Sequence, residues 1–288
     1  MLQNYIKKNK TSIFENNQLP QLLYITNTAE MKDYLPRMLH KHEENLEVVF
    51  IAQGCGNHLI DGVNYETKAG DILIFNPNVI HDETAQSNSD MVTYTLGINR
   101  FKIKGMEENS LFETEFLSVI SSGEYQSIIE KTLDIMLFHV KENTSNATEI
   151  CRYLLSSLIT LIVELPDKKQ IYPYVIKRLN VIDNVKAYIE TYYEQELSLS
   201  DLAKRFQINA YYLAHLFKKQ TGFSPMQYIH RRRIGEAQTL LMTTNHSIAQ
   251  IATLCGFMNS NYFSTAFQKT IGVTPSQYRS LWIGRTTI

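Results

Sequence analysis

Two stretches near the carboxyl end of this 288-residue chain are diverged copies of each other. In the first, Leu202-Ala203 is followed by Leu213, Phe217, Gly222, Pro225 and Tyr228; in the second, Ile251-Ala252 is followed by Phe263, Phe267, Gly272, Pro275 and Tyr278. From Leu213 and Phe263 onward the copies run in step, 50 residues apart. A unit of that size is too short for an enzyme domain, and two copies are too few for a solenoid, whose repeats bury a continuous core only by stacking. The remaining option is a small helical binding module used twice.

Each copy carries its own punctuation. Ser198 with Asp201, and Ser247 with Gln250, stand at the spacing that caps a helix start. The apolar pairs Leu202-Ala203 and Ile251-Ala252 then face inward. After a break comes a second helix with apolar residues at i, i+3 and i+4: Leu213, Leu216 and Phe217, and again Phe263, Ala266 and Phe267. Helix, short turn and helix around one seam is a helix-turn-helix. The outward face of the second helix offers Tyr211, Tyr212, His215, Lys218 and Lys219 in the first copy, and Ser260, Asn261, Ser264, Thr265, Gln268 and Lys269 in the second. Such hydrogen-bonding side chains suit base edges, with lysines for phosphates. Ser224-Pro225 and Thr274-Pro275 start further helices. The first is expected to reach about Met242 and to hold the two reading heads apart. It carries Arg231, Arg232 and Arg233, with Arg232 expected on phosphate.

Charge divides the chain in the same place. Residues 171–288 hold 13 Lys/Arg against 6 Asp/Glu, about +7, whereas residues 1–170 hold 15 against 23, about −8. A nucleic-acid-binding half joined to a different kind of half fits that asymmetry. Cys55, Cys151 and Cys255 outline neither a disulfide framework nor a metal knuckle, and no apolar run is long enough to span a bilayer. A cytoplasmic protein is expected.

The second copy, with Ile248, Ile251-Ala252, Gly256-Phe257, Tyr262-Phe263, Phe267, Gly272, Thr274-Pro275 and Tyr278-Arg279, closely resembles the DNA-binding domain of the AraC family of transcription regulators. The resemblance covers about residues 178–283. It implies seven helices, two recognition helices on one face of DNA, and base contacts from Tyr211, Ala214 and His215 in the first and from Ser260, Asn261, Tyr262 and Thr265 in the second.

The amino-terminal half has a different texture. Residues 47–51 read as a buried strand, Asp61-Gly62 as a two-residue hairpin turn, Gly70-Asp71 as a turn into the run 72–75, and Val92, Tyr94, Leu96 and Ile98 as one face of another strand. Within this barrel or sandwich sit His40-x-His42, Glu47, Gly54, Gly70, Pro77 and His81, a pattern that resembles the cupin barrel carried as a sensor by many AraC-family members. In metal-binding cupins the residues matching His40, His42, Glu47 and His81 are ligands, a set suited to Mn, Fe, Ni or Zn. The preferred reading gives them instead to a polar effector pocket or to structural pairing, with no metal and no cofactor. Farther on, Ile128, Ile129, Leu133, Met136, Leu137 and Val140 form one helical apolar stripe, and residues 150–165 carry a wider one, Ile150, Leu154, Leu155, Leu158, Leu161, Ile162 and Leu165. Such stripes serve either as core against the barrel or as a dimer seam, and the resemblance favours the seam.

The expected fold is therefore α+β and multidomain: a cupin-like β-barrel sensor over residues 1–110, a helical dimerisation segment over 111–165, a linker over 166–177, and an all-α tandem helix-turn-helix domain over 178–288. The expected function is that of a sequence-specific, non-enzymatic transcription regulator, an activator on the family pattern. Its partners would be double-stranded DNA, a small-molecule effector such as a sugar or metabolite, a second copy of the chain, and RNA polymerase, without a membrane. The rival is a metal-dependent cupin enzyme with a DNA-binding appendage; a regulator whose barrel serves only for assembly is the other alternative.

Overall fold

The computed structural model describes residues 11–30, 35–83, 90–113, 118–166 and 181–283. Its amino-terminal part is built on strands β1 (Gln21–Asn27), β2 (Leu46–Gln53), β3 (Cys55–Ile60), β4 (Val63–Lys68), β5 (Asp71–Phe75), β6 (Val92–Asn99) and β7 (Val119–Ser121). Five of them form an antiparallel sheet in the order β1-β6-β2-β5-β7, and β3-β4 form a separate hairpin. The hairpin turns at Asp61-Gly62, both left-handed at φ 46° and 75°, with Ile60 opposite Val63. That is the two-residue turn whose twist matches its strands, and local sequence alone dictates it.

One face of the sheet, with Val48, Phe50, Ile72, Ile74, Tyr94, Leu96 and Ile98, is closed by helices α1 (Gln126–Lys141) and α2 (Ala147–Glu164). Ile129, Leu133, Met136 and Leu137 of α1, and Leu155, Leu158, Ile159 and Ile162 of α2, join this single core. The buried stripes are thus occupied by the sheet, which corrects the expectation of a dimer seam on those residues. Ile128 and Val140 lie off the stripe, 56% and 40% exposed, while Ile150, Leu154 and Leu161 are half-buried. The other sheet face looks into the barrel, where Val49, Ile51, Ile60, Leu73 and Phe75 pack together. Strand β6 is buried on both sides, so its alternation marks two interiors rather than core and solvent.

Seven helices make up the carboxyl-terminal part among the described residues: α3 (Val181–Tyr192), α4 (Leu199–Arg205), α5 (Ala210–Thr221), α6 (Pro225–Thr243), α7 (Ile248–Leu254), α8 (Ser260–Ile271) and α9 (Pro275–Ile283). Ser224-Gln227 and Ser247-Gln250 form complete capping boxes, and Ser198 accepts from the Asp201 amide. Asn209 and Asn259 cap α5 and α8, and both helices end at left-handed glycines, Gly222 and Gly272. The cores repeat as well: Phe217 meets Tyr228 edge-on at 5.5 Å and 80°, and Phe267 meets Tyr278 at 5.5 Å and 79°. Such pairs add about 0.5–1.5 kcal/mol beyond their burial. Of the expected linker, only Pro166 is described; residues 167–177 lie outside the described residues. No described helix is long and apolar enough to cross a membrane.

The two parts meet along a strap, residues 35–40, laid across α6. Met38 enters the core of the second helix-turn-helix with Ile234, Leu241, Phe267 and Tyr278, while its neighbour Leu39 enters that of the first with Val185, Leu213, Phe217 and Tyr228. The Met38 amide donates to Gln238 Oε1 (2.9 Å), and Gln238 Nε2 donates to the Pro36 carbonyl (2.9 Å) and to Tyr278 Oη (3.2 Å). The strap lies so close that a Cβ on Gly235 would stand 2.0 Å from the Leu39 carbonyl oxygen. Only glycine admits that approach. Lys186 with Asp61 (3.0 Å) and Arg231 with Asp82 (2.8 Å) tie the parts at other points.

Candidate functional site

Helices α5 and α8 present matching faces. Residues 211–220 and 261–270 carry the same position-by-position pattern of exposed, half-buried and buried side chains. Leu213 and Phe217, like Phe263 and Phe267, point inward, whereas Tyr211 (82% exposed), Tyr212, His215, Lys218 and Lys219 point outward, as do Asn261, Tyr262, Thr265, Gln268 and Lys269. Ser260 and Ala214 are half-buried at the edges. Lys218, Lys219 and Lys269 enter none of the ion pairs found among the described residues, which leaves their charge outward. Each face thus combines donors and acceptors of medium reach with flanking ammonium groups, the composition that reads base edges and grips phosphate.

Arg232 does not belong to that surface. It is 3% exposed, with Nε 3.0 Å from Glu190 Oε2 and Nη1 2.9 Å from Glu236 Oε2, and its guanidinium lies 4.4 Å from the centre of the Tyr193 ring. Its neighbours are engaged too: Arg233 donates to the Tyr193 and Gln195 carbonyls, and Arg231 pairs with Asp82. The run is a brace between α3, α6 and the barrel, which corrects the expected phosphate contact. On one helix, three successive side chains spread through some 200°. Here each direction meets a partner.

The second constellation lies in the barrel. His40 and His81 pair through their backbones, His40 amide to His81 carbonyl (3.0 Å) and back (2.9 Å), and Glu47 comes from β2. Gly97 of β6 stands opposite both Tyr24 and Glu47; a Cβ there would sit 2.2 Å from the Tyr24 ring, and its absence lets that ring lie across the strand. Tyr24 Oη then donates to Glu47 Oε2 at 2.5 Å. His42 Nε2 is 3.2 Å from Glu47 Oε2, and His81 Nε2 is 3.1 Å from Glu47 Oε1. One donor atom from each of His40, His42, Glu47 and His81 falls within 4.8 Å of all the others, so all four predicted barrel residues converge. Burial pushes the Glu47 carboxyl upward, but the imidazoles of His42 and His81 outweigh it and hold it well below the usual carboxylate range. Burial likewise depresses His40 well below an ordinary imidazole and, with the Glu47 charge, pushes Glu83 up to about 7.

His42 and Glu47 also form part of the wall of a cavity of about 560 Å³. Tyr24, Arg37, Glu83 and Thr95 line it from the barrel; Thr239 and Met242 of α6 and Trp282 of α9 line it from the other part. These further residues carry no local sequence signal, because the cavity arises only from the docking of one part on the other.

Comparison with known proteins covers the same two parts. An AraC-like ligand binding domain model matches residues 19–161, and a helix-turn-helix domain model matches residues 202–280. The chain is 28% identical over 247 residues to the HTH-type transcriptional regulator YdiP of Escherichia coli (strain K12), covering 83% of this chain and 80% of that one. It is 26% identical over 260 residues to the HTH-type transcriptional activator RhaR of Mannheimia succiniciproducens, covering 89% and 92%. Among solved structures, fatty-acid-bound ToxT from Vibrio cholerae strain SCE256 is similar over 97% of this chain and 99% of its own, at 18% identity and a TM-score of 0.45.

Proposed function

Since the chain belongs to the AraC family of transcription regulators, we propose that it reads a specific DNA site with the outward faces of α5 and α8 under the control of a small molecule held in the cavity between sensor and DNA-binding part. Tyr211, Tyr212 and His215 of α5, and Ser260, Asn261, Thr265 and Gln268 of α8, make the base-edge contacts; Lys218, Lys219 and Lys269 contact phosphate. The observation that carries this reading is the repeated exposure pattern on two separately capped helices. Two solvent-facing helices have no structural reason to keep the same register of long polar side chains unless both faces meet the same kind of partner.

The effector reading rests on the cavity. Its volume falls within the usual range for small-molecule pockets, and its walls come from both parts. A ligand there touches α6 and α9 as well as β1 and β2, so its affinity depends on how the parts are disposed. That dependence is the thermodynamic requirement for control. A second copy of the chain is recruited through the outer face of α1, where Ile128, Ile135 and Phe138 remain exposed. Activation through RNA polymerase follows the pattern of the named activators among its relatives.

Selection of bound sequences from a random duplex library by the full chain, followed by footprinting, tests the DNA reading. Protection over two successive major grooves is expected; protection of one groove, or no enriched sequence, overturns it. A concentration-dependent rise in melting temperature with one sugar or metabolite, lost on Arg37→Ala, is the expected mark of the effector.

A further inference from the structure

The histidine cluster is oriented in a way that a pocket lining does not require. His40 Nδ1 lies 2.9 Å from the Met38 carbonyl and His81 Nδ1 lies 3.0 Å from the Val79 carbonyl. A carbonyl oxygen only accepts, so both Nδ1 atoms carry the hydrogen, and in the neutral rings both Nε2 atoms carry a lone pair. The His81 lone pair then faces a carboxylate oxygen at 3.1 Å, acceptor against acceptor. The Nε2 atoms of His40 and His42 are buried without a hydrogen-bond partner. Converging lone pairs and a carboxylate lack a cation, and Nδ1–H bonds to backbone carbonyls are what orient imidazoles as metal ligands.

We propose that His40, His42, Glu47 and His81 together hold one divalent transition-metal ion, and that this ion locks the strap onto α6, so that metal occupancy sets how firmly the sensor is docked on the DNA-binding part. A four-coordinate ion with ligands at about 2.1 Å spaces its donor atoms about 3.4 Å apart; contraction from 4.8 Å needs side-chain rotation and no strand movement. Three imidazole nitrogens and one carboxylate suit Zn, Ni, Fe or Mn and disfavour the oxygen-seeking Mg and Ca. The lock follows from connectivity. His40 is held to Met38 by its own Nδ1 bond, and Met38 is held to Gln238 and inserted in the second module's core. Fixing the His40 ring at an ion therefore fixes the strap where it crosses Gly235.

The inference rests on the regulator reading for its consequence but is tested without DNA. The full chain is stripped with EDTA and titrated with Zn²⁺, Ni²⁺ and Mn²⁺ separately, with bound metal counted after gel filtration and amide exchange followed residue by residue. One ion per chain is expected for at least one metal, with affinity weakened 100-fold or more by Glu47→Gln and by His42→Ala. The second variant changes a side chain at the partly exposed rim, and its metal-free melting temperature is compared with that of the wild type to show that it folds. At a free metal concentration of 100 times Kd, Met38 amide exchange should slow about 100-fold. If the folded wild type takes up none of the three ions, or if both variants bind as the wild type does, the metal site is refuted and the cluster is an imidazolium–carboxylate pair. Stoichiometric binding with unchanged Met38 exchange refutes the lock. Neither result bears on the library selection, so failure of the metal site is distinguishable from failure of the DNA reading.

Discussion

Gly235→Ala separates the stability of α6 from the docking of the sensor. The added Cβ would stand 2.0 Å from the Leu39 carbonyl oxygen, 2.7 Å from the Leu39 carbonyl carbon and 3.1 Å from the Met38 carbonyl carbon. All three are backbone atoms, so no rotamer change relieves the clash, and the strap must retreat by about 1.4 Å to reach ordinary contact at 3.4 Å. Retreat weakens the buried pair Met38 amide to Gln238 and Gln238 to Pro36, about 0.5–1.5 kcal/mol each. It also draws Met38 and Leu39, 4% and 0% exposed, partly out of two cores, where full burial contributes about 1.5–3 kcal/mol each. The docking should lose about 2–5 kcal/mol. Within α6 the sign is opposite, because alanine is favoured over glycine in a helix interior by about 1 kcal/mol. Residue-resolved hydrogen exchange on the full chain reads both effects: Met38 exchange should accelerate roughly 10²- to 10³-fold, while amides in the centre of α8 keep their protection. Wild-type exchange at Met38 would mean that the strap is not held by this contact.

Asn261→Ala should weaken binding to a selected site by about 1–3 kcal/mol and leave non-specific binding unchanged; an equal loss on random DNA, measured by anisotropy, would contradict base reading. Lys269→Ala should lower the slope of log K against log salt by about one for every sequence, and an unchanged slope would remove it from the phosphate backbone. Arg232→Ala should do the opposite, leaving the slope intact while costing about 3–5 kcal/mol of stability by stranding Glu190 and Glu236; a flattened slope in a fully folded variant would restore the phosphate role. Phe267→Ala, at a fully buried position, should cost about 3–5 kcal/mol in denaturant melts, and a wild-type midpoint would displace the seam.

Features fixed by short-range chemistry were legible in the sequence. The seam residues Leu213, Phe217, Phe263 and Phe267 follow helical periodicity, the serine and asparagine caps sit beside the helices they start, and Asp61-Gly62 needs only its own left-handed backbone to turn. The four barrel residues were found through their resemblance to the cupin pattern, and they do converge. Long-range facts were hidden. Periodicity along α1 and α2 shows that a face is buried but not what covers it, and the sheet covers it. Arg232 looks like a phosphate ligand until Glu190, 42 residues earlier, is brought beside it. The strap leaves no pattern at all, since Met38 and Leu39 are adjacent side chains in an extended segment that serve two separate cores. No property of a single stretch of chain encodes a contact whose two sides lie some 200 residues apart.

The matched burial along α5 and α8 has a consequence for how such a protein diverges. Positions that hold the modules together and positions that face outward form two sets with no member in common, and the sets coincide between the copies. Drift in one set alters which nucleotides are preferred without touching the scaffold, while repair of the scaffold leaves the preference alone. Exchanging only the outward side chains of one copy for those of the other is then a change of vocabulary within an unchanged grammar, and a lineage carrying this duplication can move to new promoters one helix at a time.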